Sequence, residues 1–339
     1  MSKYDSPKLW REKNFAIGEV ASLRHGLVNS RAKASVKQVS GKFMDIIKEV
    51  GMAKVSSEVE VNLKKAPSLN VHSEGEIKPF GPQADILKAR ITANTKVDSR
   101  VERVVSDTDL KSVSALISLY KKGFEESSLN KLLSVGNLGI GKNRKLVPTR
   151  WSITAVDDTV GKQLIKEVKD LAIGEYAAYF GGGWGNYYLI LFFPEVFSYE
   201  LFETYLNKSV NEWSKKGYMY STDYENYKGR KNYAEETAGG YYACRLGVLD
   251  KMKSIKRQHS CLALRFITPE YNMPLGVWVC REATRKSLKS LPLKFSSEEL
   301  MMKYASLLVK KKFGFNLDVL LSKSKLLKEK KEQKKLGDY

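Results

Sequence analysis

The sequence predicts a mixed α/β fold of the α+β kind: a mixed sheet with flanking helices, followed by a disordered basic C-terminal tail. Three observations predict it. Short runs rich in Val, Tyr and Phe are interspersed with segments whose apolar residues recur every three or four positions. The 339 residues are 42% apolar and 11% aromatic, enough to build a sizeable core. The closing stretch, KLLKEKKEQKKLGDY, is too charged to bury apolar area by itself.

Ser6-Pro7 marks a helix entry, and Ile17, Val20, Leu23 and Leu27 follow at helical spacing. Val39, Phe43, Ile46, Ile47 and Val50 make a second amphipathic segment over 36–50. Residues 53–104 alternate, as in VSSEVEVNL and ILKARITANTKV, and read as strands punctuated by Pro79-Phe80-Gly81-Pro82. Helix returns over 107–133, then a loop over 134–147. WSITAV (151–156) reads as a strand, with Asp158 capping a helix through Leu164, Ile165, Val168 and Leu171. YYLILFF (187–193) is continuously apolar, as a central buried strand is. CLALRFI (261–267) and LGVWVCR (275–281) read as further strands. Gly239-Gly240 opens a helix to about Lys256. Ser296-Ser297-Glu298-Glu299 forms a capping box for a helix with the stripe Leu300, Tyr304, Leu307 and Leu308, ended by Gly314. The division expected is 1–145, 146–320 and a flexible tail 321–339.

Composition narrows the function. There are 58 Lys+Arg against 38 Asp+Glu, a net charge of +20. That excess favours a polyanionic partner, either nucleic acid or an acidic membrane face, over the bland alternative of a lysine-rich composition. Tyrosines lie among the charges at 218, 220, 224, 227, 233, 241 and 242, a pattern suited to single strands as well as to ordinary cores. Three cysteines, at 244, 261 and 280, exclude a disulfide scaffold and form no Cys-x-x-Cys clip, and there are three histidines. No metal site is expected from them, and no cofactor. The start shows no signal peptide and no apolar run is long enough for a membrane span, so a cytoplasmic protein is expected.

The motifs point to anion binding more than to catalysis. Gly136-Asn-Leu-Gly-Ile-Gly141-Lys142 fits the phosphate-cradling pattern, but Asn143 stands where a Ser or Thr should hold magnesium and Pro148 follows. A basic loop projecting Lys142, Arg144, Lys145 and Arg150 is the expectation. Gly181-Gly-Gly-Trp-Gly185 reads as a mobile loop before the central strand. Arg245 falls within the apolar stripe of its helix, with Glu235, Glu236 or a more distant carboxylate as partner. Arg265 shares a strand face with Cys261, Ala263 and Ile267, and Arg281 with Val277 and Val279. These three arginines line an anion pocket or sit in internal salt bridges. Arg257 belongs to a basic surface run that includes His259. Asp157 and Asp158 at a strand end, with Glu235, are the weak candidates for acid, base or divalent-metal ligand; a cap and a turn residue is the simpler reading of the pair. No Ser/His/Asp or Cys/His constellation emerges.

Several long segments together resemble one family. DSPKLW (5–10), EVASLRHGLVNSR (19–31), PFGP (79–82), VPTRWSITAVDD (147–158), GGYYACRLGVLD (239–250), KRQHSCLALRFITPEY (256–271) and PLGVWVCREATR (274–285) resemble the archaeal Nre DNA-repair family across nearly the whole chain. The resemblance implies a role in DNA damage repair and binding to the replicative sliding clamp (PCNA) through a C-terminal peptide, mapped here to Gln333, Leu336 and Tyr339. That peptide has one terminal aromatic where the usual form has two. Members commonly begin with a Cys-rich, zinc-finger-like segment. This chain carries no such cysteines before the Asp5-Ser6-Pro7 region, so no zinc function is expected. The resemblance transfers no catalytic residues. The expectation is a protein whose partners are DNA and the clamp. The alternatives are an enzyme acting on nucleic acid or nucleotides through an Arg/Asp pocket in 146–320, or an RNA-binding protein.

Overall fold

A computed structural model describes residues 4, 6–35, 38–68, 81–206 and 217–332. The clamp-peptide residues Gln333, Leu336 and Tyr339 lie outside the described residues. The fold is mixed α+β, as expected. Contacts divide it into two compact units: 1–160 with 273–276, and 161–272 with 277–339.

The first unit contains α1 (Pro7–Glu12), α2 (Ile17–His25), β1 (Asn29–Arg31), α3 (Lys42–Met52), β2 (Val59–Leu63), β3 (Gln83–Ile91), α4 (Ser99–Ser106), α5 (Ser112–Lys121) and α6 (Glu126–Ser134). β3 is the middle of a three-stranded sheet, parallel to β1 and antiparallel to β2. α4 replaces the last part of the strand region expected over 53–104; Asp98 caps it by accepting the Arg100 N–H. Trp10 is fully buried, with the Arg24 guanidinium 5.4 Å from its ring centre. Gly81 is required by space, because a Cβ there would lie 1.8 Å from the Leu27 carbonyl oxygen.

α7 (Thr149–Lys169) corrects the strand expected at 151–156. Ser152, Val156, Val160 and Leu164 are buried at a spacing of four, which is a helix face. Pro148 precedes its first turn, where the missing N–H costs nothing. Asp158 therefore sits in mid-helix and caps nothing.

The second unit is a six-stranded sheet in the order β7-β6-β8-β5-β4-β9. Its strands are β4 (Tyr176–Gly183), β5 (Asn186–Phe193), β6 (Ser198–Tyr205), β7 (Met219–Glu225), β8 (Ser260–Ile267) and β9 (Leu293–Phe295); its helices are α8 (Ala238–Ile255), α9 (Trp278–Leu288), α10 (Glu298–Phe313), α11 (Asp318–Leu321) and α12 (Lys325–Glu332). β6 and β8 run parallel; the other pairs are antiparallel. β5 is the buried central strand the sequence indicated, and β8, expected as a strand, is buried beside it.

Two further expectations fail. Residues 278–281 open α9 rather than ending a strand. A short apolar run between Pro274 and a helical sequence does not reveal its own period. Gly181–Gly183 complete β4, and Trp184-Gly185 form the tight turn into β5 with φ of 55° and 69°. A Cβ on Gly185 would meet the Tyr271 backbone nitrogen at 2.2 Å.

The face of the sheet under α10 and α12 is an apolar core, where Leu189, Leu191, Leu262, Leu264 and Phe266 meet Met301, Ala305 and Val309. α10 begins at Ser297, whose hydroxyl accepts the Leu300 N–H, and ends at Gly314 in the left-handed region, as read from sequence. Its buried side differs from the expected stripe: Leu300 and Leu307 face solvent. The tail region expected from 321 includes a helix, α12, over Lys325–Glu332. Glu200, buried on β6, holds α12 by accepting the Ser324 hydroxyl, the Lys325 N–H (2.9 Å) and the Leu326 N–H (3.1 Å). A carboxylate at a helix N-terminus satisfies amides that have no partner within the helix. Leu326 and Leu327 are buried beside it.

Candidate nucleic-acid interface

The opposite face of the six-stranded sheet, under α8 and α9, carries a cluster of buried charges among apolar side chains. Alternation along the strands brings Asp223 and Glu225 of β7, Glu203 of β6, Arg265 of β8 and Asn186 of β5 to that side. α8 lies above and supplies Arg245. Arg245 Nη1 donates to both Glu225 oxygens, at 3.0 and 3.1 Å, and each side chain is 1% exposed. Gly161 makes room for the guanidinium, since a Cβ there would come within 3.3 Å of Nη2. Arg265 donates through Nη1 to Glu203 and through Nε to Asn186 Oδ1 at 3.0 Å. Arg281 meets Glu282 at 3.4 Å, and Arg285 bridges Glu282 (3.2 Å) and Asp250 (2.6 Å).

Arg245, Arg265 and Arg281 therefore do not line an open anion pocket. Each is buried against a carboxylate, as a guanidinium removed from water must be. Arg245 pairs with Glu225, a carboxylate that the sequence reading did not name. Glu203, Asp223 and Glu225 escaped the sequence reading. Their signal is the acid-x-acid alternation of Asp223 and Glu225 in MYSTDYE, opposite three inward arginines. Asp157 is buried in mid-α7 and Asp158 follows it there, so the pair does not sit at a strand end. Glu235 is exposed in the turn before α8. Burial raises all three thiols, Cys244 to about 12, so none is a nucleophile near neutral pH. Among the described residues no group of three or more His, Cys, Asp and Glu side chains is placed to hold a metal. The pocket on which an enzymatic reading rested is an interior ion-pair lattice.

The outward cations are elsewhere. Lys142, Lys145 and Arg150 are exposed on the 137–150 segment, and Trp151, in the first turn of α7, is 56% exposed beside Arg150. Arg144 departs from the expected projecting loop. It turns inward and donates to the carbonyls of Gly139 (2.8 Å), Val105 (2.6 Å) and Asp107 (2.5 Å), pinning the segment. A Cβ on Gly136 would meet the Lys145 carbonyl carbon at 2.8 Å. Gly136 thus serves close packing of the loop's own backbone, whereas a Cβ on Gly141 would meet nothing within 4 Å. Arg257 is exposed, with Nη1 on the Lys256 carbonyl at 3.0 Å. His259, expected at the surface, is buried and stacks on Phe192 at 4.6 Å.

Fold and site together define a basic α+β protein whose interior arginines are held by buried carboxylates and whose outward cations include Lys142, Lys145, Arg150 and Arg257. No helix among the described residues is long and apolar enough to cross a membrane. The chain belongs to the archaeal Nre family: the family's N-terminal model matches residues 1–214 and its C-terminal model 225–339. It is 33% identical over 97% of its length to the DNA repair protein NreB of Archaeoglobus fulgidus, covering 82% of that protein. It is 35% identical over 91% of its length to NreA of the same organism (77% of that protein), and 34% identical over 85% to NreA of Haloferax volcanii (70%), both named DNA repair proteins. No solved structure matches the chain. The two family segments are not two folding units. β4, β5 and β6 fall in the first and β8 and β9 in the second, so one sheet needs both.

Proposed function

We propose that this chain acts in DNA repair as a cytoplasmic protein that holds DNA on an exposed basic surface and docks on the sliding clamp through Gln333, Leu336 and Tyr339. The observation that carries the reading is near-full-length kinship with three proteins named for DNA repair. The net charge of +20 and the exposed Lys142, Lys145, Arg150 and Arg257 support the DNA contact. A clamp tether raises the concentration of the body at DNA without demanding a tight site of its own.

Two measurements test it. Phosphate contacts release counterions, so affinity for a labelled DNA is expected to fall by roughly 10³–10⁵ between about 50 and 200 mM salt if six to ten phosphates are held. A flat titration, or no binding at low salt, rejects the electrostatic account. Leu336→Ala with Tyr339→Ala is expected to abolish clamp pull-down while leaving DNA affinity intact. Unchanged pull-down rejects the docking peptide.

A further inference from the structure

Between β7 and α8 the chain reads NYKGRKNYAEE over 226–236, and a single arginine organises it. Arg230 donates through Nη1 to the Tyr224 carbonyl (3.0 Å), through Nη2 to the Tyr233 carbonyl (2.9 Å) and through Nε to the Asn232 carbonyl (3.3 Å), and it pairs with Asp223 at 3.0 Å. Gly229, at φ 83°, turns the chain around it. With the guanidinium used inside, the loop presents two tyrosines to solvent, Tyr227 at 44% and Tyr233 at 40% exposure.

Both rings are braced. Tyr233 stacks on Tyr242 at 5.4 Å and 29°. Tyr242 is itself buried, and its hydroxyl accepts the Ala234 N–H at 2.9 Å. The Lys169 ammonium lies 4.3 Å from the centre of the Tyr227 ring. Lys228 and Lys231 are exposed on the loop, and Lys162 and Lys166 are exposed on α7. Residues 226–234 contain no acid. Of the nearby carboxylates, Glu236 accepts the Thr222 N–H and Glu167 pairs with Lys253; Glu235 and Asp170 lie exposed at the rim.

We propose that Tyr227 and Tyr233, with Lys162, Lys166, Lys169, Lys228 and Lys231, form a stacking site for single-stranded DNA. The proposal rests on the DNA-binding reading above and deepens it to a strand preference. An aromatic ring takes a base whose face is open, and duplex bases already cover one another. Lysines beside the rings follow the backbone phosphates. The Arg230 clip and the Tyr242 support fix the rings beforehand, so little ordering is lost on binding.

The test measures full-length protein against a fluorescent oligothymidylate and a duplex of equal length. Tyr233→Ala is expected to weaken single-strand binding roughly 5- to 150-fold, the range of one lost stack, with duplex binding unchanged. Tyr227→Phe and Tyr233→Phe keep the rings and are expected to bind as the parent does. Lys228→Glu with Lys231→Glu, on exposed side chains that leave the core intact, is expected to lower the salt slope by about two. An oligonucleotide carrying 5-iododeoxyuridine should photocrosslink to the peptide bearing Tyr227 and Tyr233. The site is overturned if Tyr233→Ala binds the single strand like the parent, or if single-strand and duplex binding fall together. Duplex binding by the parent alongside either result leaves the DNA reading standing; a parent that binds neither DNA overturns both.

Discussion

Arg245→Met is expected to destabilise the protein by about 3–5 kcal/mol, because it strands the Glu225 carboxylate in the interior. The pair is 1% exposed on both sides and Nη1 is shared between both carboxylate oxygens, so water cannot replace the lost partner. The Arg230 N–H, 3.2 Å from Glu225 Oε2, offers one hydrogen bond but no compensating charge there. Adding Glu225→Leu to Arg245→Met should recover most of the loss, since removing both charges also removes their desolvation cost. Denaturant unfolding of the parent, both single variants and the double closes the cycle. A single variant that loses under about 1 kcal/mol would show that the pair is not the dry ion pair its geometry describes.

Acid should weaken the fold through His259. Burial first, and the nearby Arg257 charge second, push its pKa down to about 4. The unfolded chain takes a proton near pH 6.5, while the folded chain resists until about 4. Stability from this group is therefore full above pH 6.5 and is lost as the pH falls toward 4. The shift corresponds to about 3 kcal/mol at the acid end. Gly174 packs against the imidazole so closely that a Cβ would lie 1.9 Å from Nε2, which leaves little room for a hydrating water. His259→Phe, a ring that can stack on Phe192, should flatten this part of the pH–stability curve between about 6.5 and 4. An identical curve for the variant would assign the acid sensitivity to other groups. Glu200 acts in the opposite sense. Burial raises its pKa against the hydrogen bonds from Ser324, Lys325 and Leu326. Its contribution is full below the ordinary carboxylate range and declines as the pH rises through the folded value.

β5 was legible because it is covered on both faces and its 187–193 run is apolar without interruption; β8 is buried on both faces too, but Arg265 breaks its apolar run. The start of α8 and both ends of α10 were legible because glycine, serine and glutamate act locally. Residues 151–156 were misread because the run is too short to show its period, and Asp157-Asp158 look like a boundary. The four-residue spacing emerges once Val160 and Leu164 are added to Ser152 and Val156. β6 and β7 were passed over for a different reason. Their acids are tolerable inside only because arginines from elsewhere meet them. Arg245 reaches Glu225 across 20 positions and Arg265 reaches Glu203 across 62. Inward arginines could be read from periodicity; their partners could not, since no local rule links residues so far apart. The loop held by Arg230 was visible as a tyrosine- and lysine-rich stretch, but the outward orientation of its rings depends on carbonyls that arginine collects in three dimensions.

Cys244, Cys261 and Cys280 are the chain's three cysteines, all free, all interior and all shifted away from the thiolate form. Peroxide and alkylating agents attack the thiolate and need access to it. Folded molecules should thus pass through an oxidative burst with their cysteines untouched, and any thiol labelling that does occur counts excursions in which the sheet has come open.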